Sequence, residues 1–486
     1  MKIKILYIVL AFSMVACSDF LEIESETDLS NSTFFQTSED FEKAINGAYA
    51  PLRDAYQKSA YVMGELRSDN SYYDYNADNR GQLASEFIAD FTETPTNENL
   101  GFKWDNNYAI ISRANKVLAS IEDVEFDDNS LKDNLKGQAL FLRAFSYFDL
   151  VQYFGEVPHH LEPVTTLEGT ALPLSTTDVV YQQIIDDVQS AATLLPNKTN
   201  QEPGRATSGA AKTLLGNVYM VLKMYTQAAT VLKEVVDSNQ YALILNYADV
   251  FDPSNKNNSE SIFEVQYLEG SAGYNSNFIY QFMPQPITAE EVAQITGVSD
   301  AQSLQVEGFN LPTPDLIASY EDGDLREDAT ISYINISASG MLTPYVAKYN
   351  HAHSQFNNTN DNWPVYRYSE VLLSLAEALF ESGSGDPLIY LNEVRNRAGL
   401  ADAVTIDSDI ILHERRVELA FENKRWLDLV RTGNADAVMK AFGANVKANP
   451  QDYYFPLGIA PLPSSYVTIN TIFPLPSREV ILNPNY

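Results

Sequence analysis

The 486-residue chain carries 65 acidic against 32 basic side chains, a formal net charge of −33. That balance argues strongly against nucleic acid, whose phosphates need neutralising by Lys and Arg, and against docking by charge on anionic lipid heads. One cysteine cannot staple a fold internally, and a hydrophobic content of 45% is ample for a large core.

In chain order, the first feature is a short basic region, Lys2 and Lys4, followed by the apolar run Ile5 to Ala16. The run is too short for a membrane span, which needs about 20 residues, and has the length of a secretory h-region. Val15-Ala16 leads into Cys17, and Met14-Val15-Ala16-Cys17 resembles a bacterial lipobox, with Met where Leu is commoner. The expectation is a signal peptide over 1–16, lipidation at Cys17 and a polar tether over 17–33. A diacyl plus N-acyl anchor would hold firmly, since each buried CH₂ contributes about 0.8 kcal/mol.

Helical patterning dominates the body, 34–486. Ser38-Glu39-Asp40 opens a helix by N-cap chemistry, with Phe41, Ile45, Ala48, Tyr49 and Leu52 on one stripe. Further helices are predicted over about 105–121, 131–154, 177–195, 208–222, 226–238, 368–382, 386–398 and 409–431. From 241 to 365 the pattern breaks into short runs such as Ser261-Ile262-Phe263-Glu264-Val265, set among Gly, Pro and Asn. That stretch reads as loops with a few short strands between a helical scaffold at about 34–240 and 366–440. Lys212 to Gln240 fits a tetratricopeptide register through Leu215-Gly216, Tyr219, Ala228 and Leu232, where small residues let paired helices approach. Leu372 to Leu400 fits less well, with Leu388 where Ala belongs.

Several blocks together resemble the SusD/RagB family of outer-membrane nutrient-uptake lipoproteins. They are Cys17-Ser18-Asp19-Phe20-Leu21-Glu22; Trp104 to Leu118; Leu140 to Leu150 with Phe154-Gly155-Glu156-Val157-Pro158; Arg367 to Leu373; Asn392 to Leu400; Glu414 to Leu429; and the ending Asn483-Pro484. They run in order along nearly the whole mature chain. The resemblance implies a mainly α fold: a scaffold of tetratricopeptide-type helix pairs with a long irregular insertion that carries ligand contacts. It also implies a partner, the SusC-like TonB-dependent barrel over which the family member sits as a lid. The shared residues themselves read as scaffold, with Arg415, Arg416, Arg425 and Glu418 in partly buried ion pairs and Trp104, Trp426 and Phe145 in the core.

No catalytic constellation is legible, because 65 carboxylates make any single Asp/Glu pair uninformative. No cofactor is expected and no metal site: His351 and His353 lack a third ligand, and Asp322, Asp324 and Asp328 read as a solvated acidic loop. Binding chemistry is easier to find. Sugars offer C–H faces and rings of hydroxyls, which suit flat aromatic platforms and Asn, Asp, Gln or Arg hydrogen-bonders. Asp69 to Arg80 has that composition without helix or strand periodicity, so Tyr72, Tyr73, Tyr75, Asn76 and Arg80 are the expected first wall of a shallow groove. Gly270 to Pro286 supplies a second, through Tyr274, Asn275 and Phe278, and Tyr349 to Trp363 is a third candidate. The function expected is a cell-surface, lipid-anchored protein of the outer membrane that captures a glycan and hands it to its barrel. A peptide-binding uptake lipoprotein, a lid that leaves selection to the barrel, and a secreted glycan-degrading enzyme are the alternatives.

Overall fold

The computed structural model describes residues 34–80, 83–166 and 168–486. The expected signal peptide, Cys17 and the tether lie outside the described residues.

The scaffold is helical. It begins with α1 (Ser38–Tyr49), whose cap is Thr37. The Thr37 hydroxyl accepts from the Asp40 N–H while the Asp40 carboxylate accepts from the Thr37 N–H at 2.9 Å, a reciprocal capping box. There follow α2 (Leu83–Ala89), α3 (Glu98–Ser120), α4 (Asn129–Phe154), α5 (Thr177–Leu194), α6 (Ser208–Val221) and α7 (Tyr225–Asp237). Beyond the insertion come α8 (Tyr368–Ser382), α9 (Leu388–Arg397), α10 (Ser408–Glu418), α11 (Arg425–Thr432) and α12 (Ala435–Ala448). Pair α6/α7 shows why a small residue was needed at its seam. A Cβ on Gly216 would stand 2.4 Å from a Leu232 methyl, so only glycine lets the two helices close. Trp104, Phe145 and Trp426 are all buried, as expected.

Strands are few and short. β1 (Ser71–Tyr72) pairs antiparallel with β5 (Leu311–Pro312), and β2 (Val157–Pro158) with β3 (Leu174–Ser175). β4 (Ser261–Val265) pairs with β8 (Trp363–Arg367), and β6 (Ile331–Ile336) forms a hairpin with β7 (Met341–Val346). The insertion has a small core of its own around Ile279, Tyr280, Met283, Val292, Ile334 and Ile336, separate from the large scaffold core. Its loops and short strands are otherwise packed down on the helices, with Phe263, Phe278, Tyr349 and Trp363 joining the scaffold core.

Two expectations are corrected. The single helix read over 409–431 is two helices, broken between Glu418 and Arg425, with Phe421 and Asn423 at φ 64° and 63°. No Gly or Pro marks the break. Tertiary partners take up the released backbone groups: the Glu65 carboxylate accepts the Phe421 and Asn423 N–H groups, each at 3.0 Å. The Lys348 ammonium donates to the Ala420 carbonyl, and the Tyr349 hydroxyl to that of Phe421. Asp324 is likewise not in a solvated loop. It is buried and chelates the Arg326 guanidinium, donor to acceptor 2.8 and 2.7 Å.

Candidate functional site

A π-turn at Tyr56–Ala60 interrupts the helical stretch that begins at Pro51. Turns of this kind are often found at functional sites. Gln57 and Lys58 both point to a groove of about 660 Å³ between scaffold and insertion; Lys58 lines it, and Gln57 reaches one of its wall residues. Every loop singled out from the sequence meets there. Asp74 and Asn79 come from the first tyrosine-rich run, Asn277 from the second candidate segment and Asn357 from the third. Helices α2 and α3 add Glu86, Glu98 and Phe102, and residues 304–307 with Phe309 close the far side.

The wall is a directional chain of amides. The Gln57 side chain donates to Asn277 Oδ1 at 2.9 Å, Asn277 donates to Asn357 Oδ1 at 2.9 Å, and Asn357 donates to Gln305 Oε1 at 2.8 Å. On the other flank Asn76 and Asn79 both donate to Gln285 Oε1 at 3.1 Å. Asn277 Oδ1 also accepts from the Gln281 amide, so its two lone pairs are filled and the chain is locked from both sides; the amides are oriented before a ligand arrives. Phe102, 38% exposed, lines the groove with its ring, the Lys58 ammonium 5.7 Å from the ring centre.

The residues expected from sequence divide sharply. Asn76 and Arg80 do not line the groove but touch its surroundings: Asn76 donates to Gln285, and Arg80 pairs with the lining Glu86 and lies 4.0 Å over the half-buried Tyr75 ring. Asn275 donates to the Asn357 carbonyl at 3.1 Å and so braces a groove residue. Tyr274 is 47% exposed, but its face is taken by the Arg53 guanidinium at 4.6 Å. Tyr72, Tyr73 and Phe278 are corrected: all three are core, with no ring face open to a sugar. Tyr72 is 0% exposed, stacks on Tyr73 at 4.5 Å and donates to Asp90 Oδ1 at 2.5 Å. Phe278 packs edge-on to Trp363 at 4.8 Å. The two loops do form the walls, but through amides rather than rings. Phe102 was missed because the helix was read as starting at about 105, whereas α3 begins at Glu98 and carries Phe102 on its exposed side.

A second enclosed space, about 120 Å³ and lined by the Lys103–Asp149 and Lys424–Glu370 pairs, lies within the helical scaffold. It has room for a few waters but not for a sugar ring. Of the two histidines weighed as ligands, His351 faces the Asp361 carboxylate at 2.5 Å and His353 the Tyr280 hydroxyl at 2.5 Å.

Burial shapes the carboxylates around the groove. It pushes Asp74 up to about 7, against the Gln285 N–H that its carboxylate accepts, and Glu86 up to about 7 despite Arg80. Deeper in, it lifts Glu65 to about 7 and Asp90 to about 6 against their hydrogen bonds. A carboxyl whose folded value lies above its unfolded one binds more protons when folded, so stability falls as pH rises through that window. Half-buried His159, His160 and His413 are lowered and oppose this, and Asp428, held down to about 2 by Arg415 and Arg431 despite burial, loses its contribution only in strong acid. The carboxyl shifts prevail, so the melting temperature is expected to be higher at about pH 5 than at about pH 8. A calorimetric profile that rises from pH 5 to 8 refutes this.

Residues 327–486 match the model of the SusD family, and residues 19–220 a model described as starch-binding associating with outer membrane. SusD-like protein P2 of Formosa agariphila is 29% identical, over 100% of this chain and 98% of that protein. A laminarin binding SusD-like protein has a solved structure that matches with a TM-score of 0.75 at 27% identity, covering 92% of this chain and 98% of that one. Surface glycan-binding protein A from Bacteroides thetaiotaomicron in complex with laminarihexaose matches with a TM-score of 0.75 at 23% identity, over 92% and 98%.

Proposed function

We propose, from the premise that this chain belongs to the SusD/RagB family, that it captures a glycan at the cell surface and passes it to a SusC-like TonB-dependent barrel. The observation that carries the glycan reading is the groove. Hydroxyls both donate and accept, and the wall from Gln57 through Asn277 and Asn357 to Gln305 offers both roles at fixed spacing beside the exposed Phe102 ring. The 27% identical laminarin-binding structure of the same fold supports a β-glucan as the first ligand to try. The groove is open, so much of a bound chain stays in water and affinity is modest. The protein acts by binding and releases its ligand unaltered. It is anchored in the outer membrane by lipid on Cys17, after removal of 1–16, and reaches outward on the 17–33 tether.

Calorimetry against laminarin and other oligosaccharides tests the binding, with chromatography of the recovered sugar. Product formation that persists through repurification would sink the binding-only reading. Cys17→Ala is expected to release the protein from the membrane, and normal retention of that variant refutes the anchor. Affinity purification from detergent-solubilised outer membranes should bring down a TonB-dependent barrel. A preparation without one counts against the partnership.

A further inference from the structure

The charge of the groove says more about its ligand, on the premise that the ligand is a glycan. Among the described residues that line it, four are carboxylates, Asp74, Glu86, Glu98 and Glu307, and Lys58 is the one cation. The cations close by are already engaged. Arg80 is held by Glu86 and the Tyr75 ring, Arg53 lies over Tyr274, and Lys58 itself sits 3.5 Å from Asp54. Uronates and sulfates are held by guanidinium forks or clustered ammonium groups. No guanidinium stands among the described lining residues. The groove presents instead a row of neutral amides, the natural complement of uncharged hydroxyls.

We propose that the groove selects uncharged glycans and rejects chains that carry carboxylate or sulfate. A uronate seated on the amide wall meets like charges at Glu98 and Glu307, and Lys58, shared with Asp54, is the one lining cation to set against them and its lost hydration. A neutral chain loses nothing to those carboxylates, which accept hydrogen bonds from its hydroxyls.

The test is a calorimetric comparison of two panels against the full mature protein. One holds neutral laminarin, xylan, mannan and starch oligosaccharides; the other holds alginate, polygalacturonate and carrageenan oligosaccharides. At least one neutral member is expected to bind, with affinity unchanged between about 20 and about 500 mM salt. Every anionic member should bind at least about tenfold more weakly, improving as salt screens the repulsion. In the Glu98→Gln/Glu307→Gln variant the ratio of anionic to neutral affinity should rise about tenfold at low salt and less at high salt. An anionic member that equals or exceeds the best neutral one overturns the selectivity while leaving glycan binding intact, as does a ratio that the variant does not move. Silence from both panels overturns glycan binding, and this inference with it.

Discussion

Arg367→Met is expected to lower the unfolding free energy by about 3–5 kcal/mol, because it takes a cation from three buried glutamates at once and leaves their charges under-compensated. The guanidinium is fully buried at the end of β8 and spends its donors on three glutamates. It donates to Glu422 at 2.7 Å from both Nε and Nη2, to Glu260 at 2.5 Å, to Glu418 Oε1 at 3.0 Å and to the Glu418 carbonyl at 3.0 Å. Arg397, Arg326 and Lys348 share these acceptors, so the charges interlock. Glu418 and Glu422 are held below the usual carboxylate range against a large burial effect, by Arg397 and Arg367 in the first case and by Arg367 and Lys348 in the second. With Arg367 gone, those values rise and the carboxyls take protons on folding. The deficit against the parent protein should therefore shrink between about pH 8 and about pH 5. Arg367→Lys keeps a charge but not the fork, and should lose less. Urea titrations at both pH values decide the matter. A loss under about 1 kcal/mol, or one independent of pH, shows that the network does not depend on this residue.

The same network locates the insertion on the scaffold. Glu260 precedes β4, Arg367 ends β8, Lys348 follows β7, Glu418 ends α10 and Glu422 lies in the break after it. Ion pairs of this kind add little stability over a well-packed apolar core, but they define one geometry. Here that geometry sets the insertion's amides against the π-turn of the scaffold.

For the groove itself, Phe102→Ala and Asn277→Ala are expected to weaken laminarin binding by about 30-fold and about tenfold, with a melting temperature close to the parent for Phe102→Ala and slightly lowered for Asn277→Ala. Loss of a stacking anchor near the middle of an interface is worth about 2 kcal/mol, and rim contacts far less. Asn277 matters through its neighbours, since its removal leaves Gln57 and the buried Gln281 without an acceptor and Asn357 without a donor, at a small cost in stability. Tyr72→Phe is the contrasting variant. It removes the hydroxyl that Asp90 accepts and should cost about 1 kcal/mol of stability with binding unchanged. If Tyr72→Phe abolishes binding while Phe102→Ala and Asn277→Ala leave it intact, the site is elsewhere on the tyrosine-rich run.

Much of the scaffold was legible because its signals are local. Helix stripes such as Phe41, Ile45 and Ala48 repeat within one element, and the Gly216–Leu232 contact joins two adjacent helices. Polar composition likewise marked the three loops that meet at the groove. What each of their side chains does depends on partners far along the chain. Ser71 pairs with Pro312, and this short ladder turns Tyr72 and Tyr73 inward onto Asp90 and Phe455. Three tyrosines among Asp and Asn look the same in sequence whether they face a ligand or the core, since a ring with a buried hydroxyl partner is satisfied either way. The break at 419–424 has the same origin. Its residues carry no helix-stopping signal, and the conformation is held by Glu65 and Lys348, which lie more than seventy positions away. Periodicity reports which face of an element is apolar; which loop side chains are exposed is decided by long-range hydrogen bonds and ion pairs, which leave no periodic trace.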